Sequence, residues 1–389
     1  MVHLYGYREI RTPTFEETDL FVRTSGETSD IVSKQMYSFV DKGGRSVTLK
    51  PEGTAPAMRA LIEHGLLSPG QVQRLYYITP IFRYERPQKG RLREAHQVGL
   101  ELVGSPSPAA DAEVIEVTVR FYEALGIKEI SVLLNSLGRA ECRARYREAL
   151  LHHAEEFLRT QNTELREKIE KNPLRLLDSK DPDVKDALAG LPPVTQFLEE
   201  DSKRRFDELQ ALLTESAVKF TPAPDIVRGL DYYTETVFEV QSAGLGSQNA
   251  LCGGGRYDDL IAELGGSPTP SVGVAMGIER ALMVAEDEGR CAAEPRLDAF
   301  VVAAAPEHEE EARRIAACCR RHGIAASLDL DAHSLKSRLK QADRSGARYA
   351  VIIGDDEAAS GTVSLRDLAA GRQESIPKES LIDALGART

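Results

Sequence analysis

Two apolar segments of strand length bracket a strongly basic loop, and this arrangement constrains the fold more than any other feature of the chain. RLYYITPIF precedes the loop and VGLELVG follows it. The loop between them carries a run of basic residues, Arg83, Arg86, Lys89, Arg91 and Arg93. Apolar segments joined by a polar connection predict a β-hairpin. We therefore expect a cationic loop between two strands of a core sheet.

Side-chain alternation gives the two faces of this hairpin different chemistry. Successive residues of a strand point to opposite faces of the sheet. One face is therefore predicted to carry polar side chains around a gap at Gly99, namely Arg83, Glu85, Gln97 and Glu101. The plain alternative is a solvated face held by cross-strand ion pairs. The other interpretation is a binding site for a ligand with both anionic and hydrogen-donating groups.

The basic loop stands out because the chain as a whole is acidic. Its 389 residues carry a formal net charge of −12, which argues against a general nucleic-acid coat and against binding to anionic membranes. No apolar run reaches the ~18 residues of a membrane helix, and the first residues do not resemble a signal peptide. The five cysteines show neither a CxxC pair nor a zinc spacing. We therefore expect a cytoplasmic protein without a structural metal.

Glycine usage and periodicity divide the chain into segments. Residues 1–138 mix strands, turns and helices. Residues 139–220 contain Gly190 as their only glycine, and their charged amphipathic pattern predicts a helical insertion. Strand signals return over 221–290 in DIVRGLDYYTETVFEVQS, followed by a predicted glycine turn in CGGGRYDDL.

The last section, residues 296–389, alternates apolar segments of strand length with helical segments. The predicted strands are LDAFVVAA, IAASLDL and YAVIIGD, and the helices between them end at Gly323 and Gly346. This order implies right-handed crossovers and a parallel core. TVSLRDL and a final helix complete a predicted α/β domain with a mixed, largely parallel sheet.

Two helix starts carry polar residues that have a plain explanation beside a functional one. In KPEGT, Glu52 and Thr54 precede a helix. The plain interpretation is a helix cap, with Thr54 as the capping residue and an acid near the positive helix end. In GIERAL, Arg280 falls in the first turn of a helix, where a cation opposes the helix dipole. That small penalty points to an anionic ligand.

A further polar cluster precedes an alternating strand in RGLDYYTETVFEV. It contains Arg228, Asp231, Tyr232 and Tyr233. Two adjacent tyrosines are more often one core residue and one surface residue than two ligand contacts. The motifs of the common nucleotide-binding loops, GxGxxG and GxxxxGK[ST], are absent from the sequence. No nucleophile elbow, catalytic-cysteine signature or zinc signature stands out either.

Taken together, these segments resemble one family, the histidyl-tRNA synthetases of class II. The likeness is carried, in the order of that family, by GYREIRTPTFEETDLF, LKPEGTAPAMRA, IFRYERPQKGRLREAHQVGLELVG, VRGLDYYTETVFEV, GGGRYDDL and VGVAMGIERA. The resemblance implies an α+β catalytic domain, an antiparallel sheet flanked by helices. The helical stretch resembles the insertion domain of the family, and the C-terminal α/β section resembles its anticodon-binding domain.

The resemblance also implies roles for residues that bind ATP. Arg83 would hold the α-phosphate and the histidine carboxylate, and Glu85 would meet the adenine amino group. Arg91 would reach the outer phosphates, and Arg280 would pack on adenine. ATP with Mg²⁺ is the implied substrate. Arg83, Arg228 and Mg²⁺ would stabilise the charge of the reacting groups.

The same resemblance implies a pocket for L-histidine. Its members would be Glu52, Gly53, Thr54, Arg83, Gln97, Glu101, Arg228, Tyr232 and Tyr233. Glu52 and Thr54 would receive the α-amino group, with Gln97 beside them. Glu101 and Tyr233 would address the imidazole. A neutral imidazole offers one donor and one acceptor, which a carboxylate and a tyrosine hydroxyl can match.

The implied partners are tRNA(His) and a second copy of the chain. We expect Gln88, Lys89 and Arg93 to meet the acceptor end of the tRNA. Members of the family carry further residues before GYREIRTP, in a helix that supports their dimer interface, so the short start bears on the stability of the expected homodimer. The alternative function is a non-catalytic synthetase-like regulatory subunit of ATP phosphoribosyltransferase, although such subunits have eroded motifs and no anticodon domain. A third reading is an inactive RNA-binding protein.

Overall fold

The computed structural model describes residues 1–26, 29, 31–86, 88, 90–177, 179, 181–227, 230, 232–290, 297–331 and 333–386. The chain divides into two compact units, Met1–Cys291 and Ala292–Thr389. The units share no sheet among the described residues, and each has its own apolar core, as expected for a chain of this length. Among these residues, no helix is long and apolar enough to cross a membrane.

The first unit, over its described residues, is built on an eight-stranded sheet and a three-stranded one. The strands are β1 (Arg8–Glu9), β2 (Phe15–Glu17), β3 (Tyr37–Val40), β4 (Ser46–Leu49), β5 (Gln73–Phe82), β6 (Glu94–Val103), β7 (Ile130–Ser136), β8 (Phe220–Pro222), β9 (Thr234–Ser242), β10 (Ala250–Arg256) and β11 (Ser271–Gly277). The large sheet has the order β1-β5-β6-β11-β10-β9-β7-β8, and the small one β2-β4-β3. The central strands of the large sheet pair antiparallel, and the edge strands β1 and β8 pair parallel. The predicted antiparallel catalytic sheet is confirmed.

Helices surround this sheet. They are α1 (Thr18–Ser25), α2 (Thr54–Glu63), α3 (Pro108–Ala124), α4 (Ala140–His153), α5 (Glu155–Thr160), α6 (Thr163–Lys171), α7 (Pro182–Ala187), α8 (Glu200–Glu215), α9 (Leu260–Glu263) and α10 (Ile278–Asp287). Short 3₁₀ turns lie at Val2–Tyr5, Pro173–Leu176, Val194–Phe197 and Ala243–Gln248, and a π turn at Ile31–Gln35. The ends of α3 follow its sequence, because Ser107 accepts a hydrogen bond from the Ala109 amide and Gly126 follows the helix with a φ of 80°.

The main apolar core lies behind the large sheet. Leu100 and Leu102 of β6 are fully buried there. They belong to one cluster with apolar side chains of α3, α8 and α10. Because side chains alternate along a strand, burial of these leucines directs Gln97, Gly99 and Glu101 to the opposite face. The hairpin therefore has one core face and one polar face, as predicted.

The helical region between β7 and β8 has two parts. Tyr146 and Leu150 of α4 pack with apolar residues up to Val194 in a small cluster of their own. The last helix, α8, instead packs Phe206 and Leu213 into the core behind the large sheet. The region predicted as an insertion thus combines a small separate core with one helix that is part of the main body.

The glycine-rich segment that was predicted as a turn is a central strand, so that prediction was wrong. Strand β10 pairs with β11 on one side and with β9 on the other. Its glycines make room for neighbouring rings, because a Cβ at Gly254 would lie 2.7 Å from the Phe238 ring and one at Gly255 would lie 2.9 Å from the Tyr233 ring. Glycine within a strand often marks such a close approach, which the local sequence does not reveal.

The second unit has a five-stranded sheet over the residues that the structure describes. Its strands are β12 (Ala299–Ala303), β13 (Ala326–Leu328), β14 (Tyr349–Ile353), β15 (Thr362–Asp367) and β16 (Gln373–Pro377), in the order β13-β12-β14-β15-β16. Its helices are α11 (Glu309–Arg321), α12 (Leu335–Arg344), α13 (Asp355–Ser360) and α14 (Leu381–Gly386), with 3₁₀ turns at Pro306–His308 and Lys378–Ser380. β12 is parallel to β13 and β14, whereas β15 and β16 add antiparallel pairs. The mixed sheet with a parallel core is confirmed, and the exposed polar strand β16 was missed.

Candidate active site

Small residues occupy much of the polar face of the large sheet. Neighbouring positions on this face pair Gln97 with Gly277, Gly99 with Ala275, Glu101 with Gly273, and Gly253 with Ala275. Side chains from other elements can therefore approach the backbone closely. They form two adjacent regions. We call one the carboxylate pocket (Glu52, Thr54, Tyr77, Glu101 and Tyr257) and the other the arginine cavity (Arg83, Glu85, Arg91, Gln97 and Arg280).

The predicted gap at Gly99 is filled by the ring of Tyr77. β5 and β6 pair with Tyr77 opposite Gly99, and the tyrosine is buried. A Cβ at Gly99 or at Gly53 would overlap the Tyr77 ring. The ring of Tyr77 thus requires both glycines. The sequence alone did not indicate which side chain would fill this space.

Glu101 is the centre of the carboxylate pocket and is completely buried. Its Oε1 accepts a hydrogen bond from Thr54 Oγ1 at 2.8 Å and another from the Tyr77 hydroxyl at 3.1 Å. Its Oε2 accepts a hydrogen bond from the Tyr257 hydroxyl. These hydroxyl donors come from a helix start, a strand and a loop, which are distant in sequence. They hold the carboxyl group in one orientation over the small residues of the sheet face.

Burial dominates the electrostatics of this pocket. It raises the pKa of Glu101 to about 8, although the three hydroxyl donors act in the opposite direction. The nearby charge of Glu52 raises it further, because two carboxylates oppose each other's ionisation. Burial also raises the pKa of Glu52 itself, with Arg83 and the amides of α2 lowering it. The pocket is therefore best stabilised by a ligand that brings positive charge or hydrogen-bond donors.

Glu52 anchors the start of α2. Its carboxylate accepts hydrogen bonds from the amides of Thr54 at 2.6 Å and Ala55 at 2.9 Å. An acid is favourable at this position because it satisfies amides that lack partners in the first turn. The plain interpretation of KPEGT is therefore half correct. The acid near the helix start does accept the first amides, but the N-cap residue is Gly53, and Thr54 points its hydroxyl to Glu101.

Both residues of the tyrosine pair are buried, so the expectation of one core and one surface residue was wrong. The ring centroids of Tyr232 and Tyr233 lie 4.8 Å apart, and Tyr232 contacts the ring of Tyr257 edge-on at 5.6 Å. Both pack in one cluster with Tyr77. The pair therefore forms a wall of the carboxylate pocket.

The arginine cavity adjoins this pocket on the same sheet face and has a volume of about 220 Å³. Three guanidinium groups line it, those of Arg83, Arg91 and Arg280. Glu85 lies among them, with its Oε2 3.3 Å from Arg91 Nε. Gln97 lines the side towards the carboxylate pocket, and its buried Oε1 accepts no hydrogen bond from the described residues. An anionic ligand with a donor group would match this lining.

Arg280 is held in place by the backbone of a loop and of a strand. Its Nε donates to the Gly90 carbonyl of the β5–β6 loop at 2.9 Å, and its Nη1 donates to the carbonyl of Ala250, the first residue of β10. Burial lowers the pKa of Arg280, and the charges of Arg91 and Arg83 act in the same direction. The guanidinium groups thus repel one another within a partly buried space, and a polyanion would relieve that repulsion.

Comparison with known proteins identifies the family. The family model for histidyl-tRNA synthetase matches residues 1–281, and the model for an anticodon binding domain matches residues 298–388. The chain belongs to the histidyl-tRNA synthetase family. It is 46% identical over 381 residues to the histidine–tRNA ligase of Acaryochloris marina, which covers 98% of this chain and 88% of that protein.

Two further relatives agree. The histidine–tRNA ligase of Acetivibrio thermocellus is 43% identical over 386 residues, which is 99% of this chain and 93% of that protein. The crystal structure of apo S. aureus histidyl-tRNA synthetase superimposes with a TM-score of 0.81 at 35% identity, covering 99% of this chain and 92% of that one. The family and the fold class inferred from the motifs are thus confirmed.

The loop between β5 and β6 contains a tight turn. The Arg91 amide donates to the Gln88 carbonyl at 2.9 Å, and Gly90 has a φ of 75°. Gln88 and Arg93 are exposed on the outside of this loop, and the Arg93 guanidinium lies 4.3 Å from the centre of the Tyr84 ring. Lys89, the third residue predicted to meet tRNA, lies outside the described residues.

The structure brings together most of the site predicted for the synthetase family. The arginine cavity is lined by Arg83, Glu85, Arg91, Gln97 and Arg280, and the carboxylate pocket holds Glu52, Thr54 and Glu101 beside Gly53 and the tyrosine pair. Arg83 and Glu85 were expected on strand β5, but the strand ends at Phe82 and they follow it. Arg228 and Asp231 lie outside the described residues.

Sequence reasoning missed residues that support this site. Tyr77 and Tyr257 both bind Glu101, and both look like ordinary apolar-strand or turn residues in the sequence. Glu279 was overlooked as well. Its carboxylate accepts hydrogen bonds from the His96 amide at 2.9 Å and pairs with the His96 ring at 2.8 Å, which joins β6 to the start of α10. The glycines at positions 99 and 273 were the available signal, because glycine in a strand marks close approach.

Proposed function

We propose that this protein ligates L-histidine to tRNA(His) with ATP, through a histidyl-adenylate intermediate. The observation that carries the proposal is the junction of two opposite chemistries on one sheet face. Three arginines line an open cavity, and a buried carboxylate held by hydroxyl groups adjoins it. A nucleotide and an amino acid with a basic side chain fit these two regions. Membership of the histidyl-tRNA synthetase family supports the same function.

The arginine cavity is proposed as the ATP site. Arg83, Arg91 and Arg280 would bind the phosphates and the adenine face, and Glu85 would accept a hydrogen bond from the adenine amino group. Guanidinium groups suit this role, because they give several donors in a fixed plane and stack on rings. Burial lowers the pKa of Arg280 and the charges of Arg91 and Arg83 lower it further, which supports an anionic occupant.

The carboxylate pocket is proposed as the histidine site. Glu101 would accept the imidazole N–H, and Tyr233 would donate to the other ring nitrogen. Glu52 and Thr54, with Gln97 beside them, would hold the α-ammonium group, and the unsatisfied Gln97 Oε1 supports a donor at that position. Gly53, which leaves room for the Tyr77 ring, would complete the pocket at the start of α2. A pocket of this kind rejects apolar amino acids, because their binding would leave buried polar groups unpaired.

Mg²⁺ would accompany ATP, and the donor set near Arg280 fits it. Glu85 lines the cavity and Glu239 pairs across the sheet with Gly253, which also lines it, and carboxylate oxygens are the ligands that Mg²⁺ prefers. The ion would neutralise part of the phosphate charge. The protein side chains would position the two substrates and hold the developing charge, chiefly Arg83 and Arg228, with Tyr232 as support for Arg228.

The first step requires no general base, because the attacking histidine carboxylate is already ionised. Its oxygen forms a bond to the α-phosphorus of ATP, and pyrophosphate leaves. Catalysis would come from positioning and from charge stabilisation. In the second step the histidyl group passes to the terminal adenosine of tRNA, with release of AMP.

We propose that tRNA contacts divide between the two units. Gln88, Lys89 and Arg93 would meet the acceptor end, and the C-terminal unit that matches the anticodon binding domain would bind the anticodon. A homodimer is proposed too, and exposed apolar residues of the three-stranded sheet, Phe15, Phe39 and Val40, support a face covered by a second copy. Such an enzyme would act in the cytoplasm.

Histidine-dependent ATP–pyrophosphate exchange tests the proposal. The expected result is exchange with L-histidine and none with other amino acids. A regulatory subunit of ATP phosphoribosyltransferase or an inactive RNA-binding protein would give no exchange, so its absence would sink the enzyme assignment. Equal exchange with several amino acids would do the same.

The role proposed for Arg228 has its own test. Arg228→Ala is expected to abolish adenylation while the thermal unfolding midpoint stays that of the parent, because only a charge-stabilising group is removed. Normal exchange in this variant would show that the catalytic assignment is wrong.

A further inference from the structure

Glu235 holds a backbone conformation that costs free energy for any residue except glycine. It has a φ of 48°, one of two such non-glycine residues in the described part of the chain, the other being Ala217 with 55°. The position coincides with a break in strand pairing, because Gly255 faces Val237 while Arg256 faces Thr234. A bulge therefore sits at the start of β9, directly after the tyrosine pair.

The side chain of Glu235 contacts residues at both ends of the helical region. It is buried, and its Oε1 accepts hydrogen bonds from Ser202 Oγ at 3.0 Å and from Arg139 Nε at 3.1 Å. Arg205 Nε lies 3.9 Å from the same oxygen. Arg139 immediately precedes α4, the first helix of the region, whereas Ser202 and Arg205 belong to α8, the last. One carboxylate thus joins the entry and the exit of this segment.

The backbone of Glu235 completes the junction. Its carbonyl accepts from the Leu137 amide at 2.7 Å, and its amide donates to the Gly138 carbonyl at 3.0 Å. These bonds tie the bulge to the chain just before α4. The backbone therefore keeps the strained conformation in place even though it is unfavourable on its own.

The same junction reaches the tyrosine pair. Arg143 of α4 donates from Nη1 to the Tyr233 carbonyl at 3.0 Å. The ring of Tyr233 lies against Gly255, where a Cβ would come within 2.9 Å of it. The helical region thus holds the main chain of Tyr233, and the bulged strand pair lies against its ring.

We propose that Glu235 is a positioning residue that couples the helical region to the histidine pocket through Tyr233. The inference rests on the proposed function, since it assigns a role in histidine binding. Glu235 touches no substrate itself. It holds the ends of the helical region against the bulge, and the bulge sets where the tyrosine pair meets the pocket. The arginine cavity lies beyond this junction and does not depend on it.

The experiment compares Glu235→Gly with Ala217→Gly. Both substitutions relieve an unfavourable positive φ, but only the first removes the carboxylate, and Ala217 is exposed on the turn after α8. Pyrophosphate exchange is measured against histidine and against ATP separately. For Glu235→Gly we expect the KM for histidine to rise about tenfold, as for a misplaced contact, with the KM for ATP unchanged. Ala217→Gly should leave both values unchanged.

A second variant guards against a folding defect. Arg139→Ala combined with Ser202→Ala keeps Glu235 and removes two of its partners, and it should raise the KM for histidine in the same direction. If Glu235 had only a structural role, its loss would lower the unfolding midpoint or the kcat of exchange. The KM for histidine would then not change selectively relative to the KM for ATP. An unchanged KM for histidine in both variants, or an equal rise in both KM values, would overturn the inference while leaving the proposed function intact. No exchange by the parent protein would overturn both.

Discussion

The carboxylate pocket and the arginine cavity share one sheet face but are built in opposite ways. Glu101 and Tyr77 are almost completely buried and bonded to each other. The side chains of Arg91 and Glu85 in the cavity retain 38% and 14% exposure and come from a loop. The pocket is a closed network whose geometry is set before any ligand arrives. The cavity instead gathers three guanidinium groups around one carboxylate, each held by backbone or ion-pair contacts at the edge of an open space that a ligand can fill.

The difference follows from what each region must recognise under the proposed function. A small amino acid is distinguished by a few hydrogen bonds, and buried rigid groups make errors costly. A polyphosphate carries enough charge to bind strongly to several guanidinium groups in a partly open cavity. Substitutions should therefore separate into those that alter the fold in the pocket and those that alter only ligand binding in the cavity.

The largest expected effect is in the cavity. Arg83→Ala should lower kcat/KM in pyrophosphate exchange by roughly 10²–10³-fold, because it removes charge stabilisation at the reacting phosphate. The unfolding midpoint should stay close to that of the parent. Arg86→Ala, in the exposed part of the same loop, is the control and should retain near-normal exchange. Equal losses in both variants would mean that the loop acts only through its net charge.

The same substitution at two glycines compares the regions directly. Gly99→Ala should destabilise the fold by about 1–3 kcal/mol, because the new methyl group overlaps the buried Tyr77 ring. Gly277 has a negative φ, which alanine can adopt, and a Cβ there would meet only the Arg280 side chain, at 3.5 Å. Gly277→Ala should keep the stability of the parent and raise the KM for ATP. Urea unfolding with exchange kinetics on both variants checks this, and equal stabilities would contradict the rigid pocket.

The stability of the folded chain should depend on pH through Glu101 in the carboxylate pocket. The pKa of Glu101 is raised in the folded chain from 4.5 to about 8, so the folded state holds the extra proton across that window. Stability from this group is therefore lost as the pH rises from about 4.5 to about 8. In the absence of substrates, Glu101→Gln should be stabilised relative to the parent, increasingly so towards about pH 8.

The control for this pH effect is Glu94→Gln, which changes an exposed carboxylate on the same strand. Its unfolding midpoint should follow that of the parent at every pH. If the difference between Glu101→Gln and the parent is the same at low and high pH, Glu101 is ionised in the folded protein and the pocket is more polar than its burial indicates.

The smallest expected effect lies on the outer side of the loop. Arg93→Ala should lower tRNA charging by about three- to tenfold, as for the loss of one phosphate contact, and leave pyrophosphate exchange near normal. Arg45→Ala, an exposed arginine of the β3–β4 turn, is the matched control. An equal fall in exchange and charging for Arg93→Ala would refute the division between ATP and tRNA contacts along the loop.

The hairpin and the alternating strands and helices of the C-terminal unit could be predicted from the sequence, because both have strong local patterns. Alternation alone directed Gln97 and Glu101 to one face, and burial of Leu100 and Leu102 on the other confirms it. The glycine strand β10 was misjudged, because Gly254 and Gly255 are explained by the rings of Phe238 and Tyr233 from the neighbouring strand and the loop that precedes it. Such contacts have no signature within the segment itself.

The sequence by itself determined the family, the order of the segments and the residue types of the site, since these depend on motifs and on periodicity along the chain. Only the tertiary structure decided that Tyr77 fills the space above Gly99, that Tyr257 and Thr54 bind Glu101, and that Glu235 joins the ends of the helical region. The physical reason is that these contacts join residues far apart in sequence. Their strength comes from burial and close approach, which exist only once the sheet has formed.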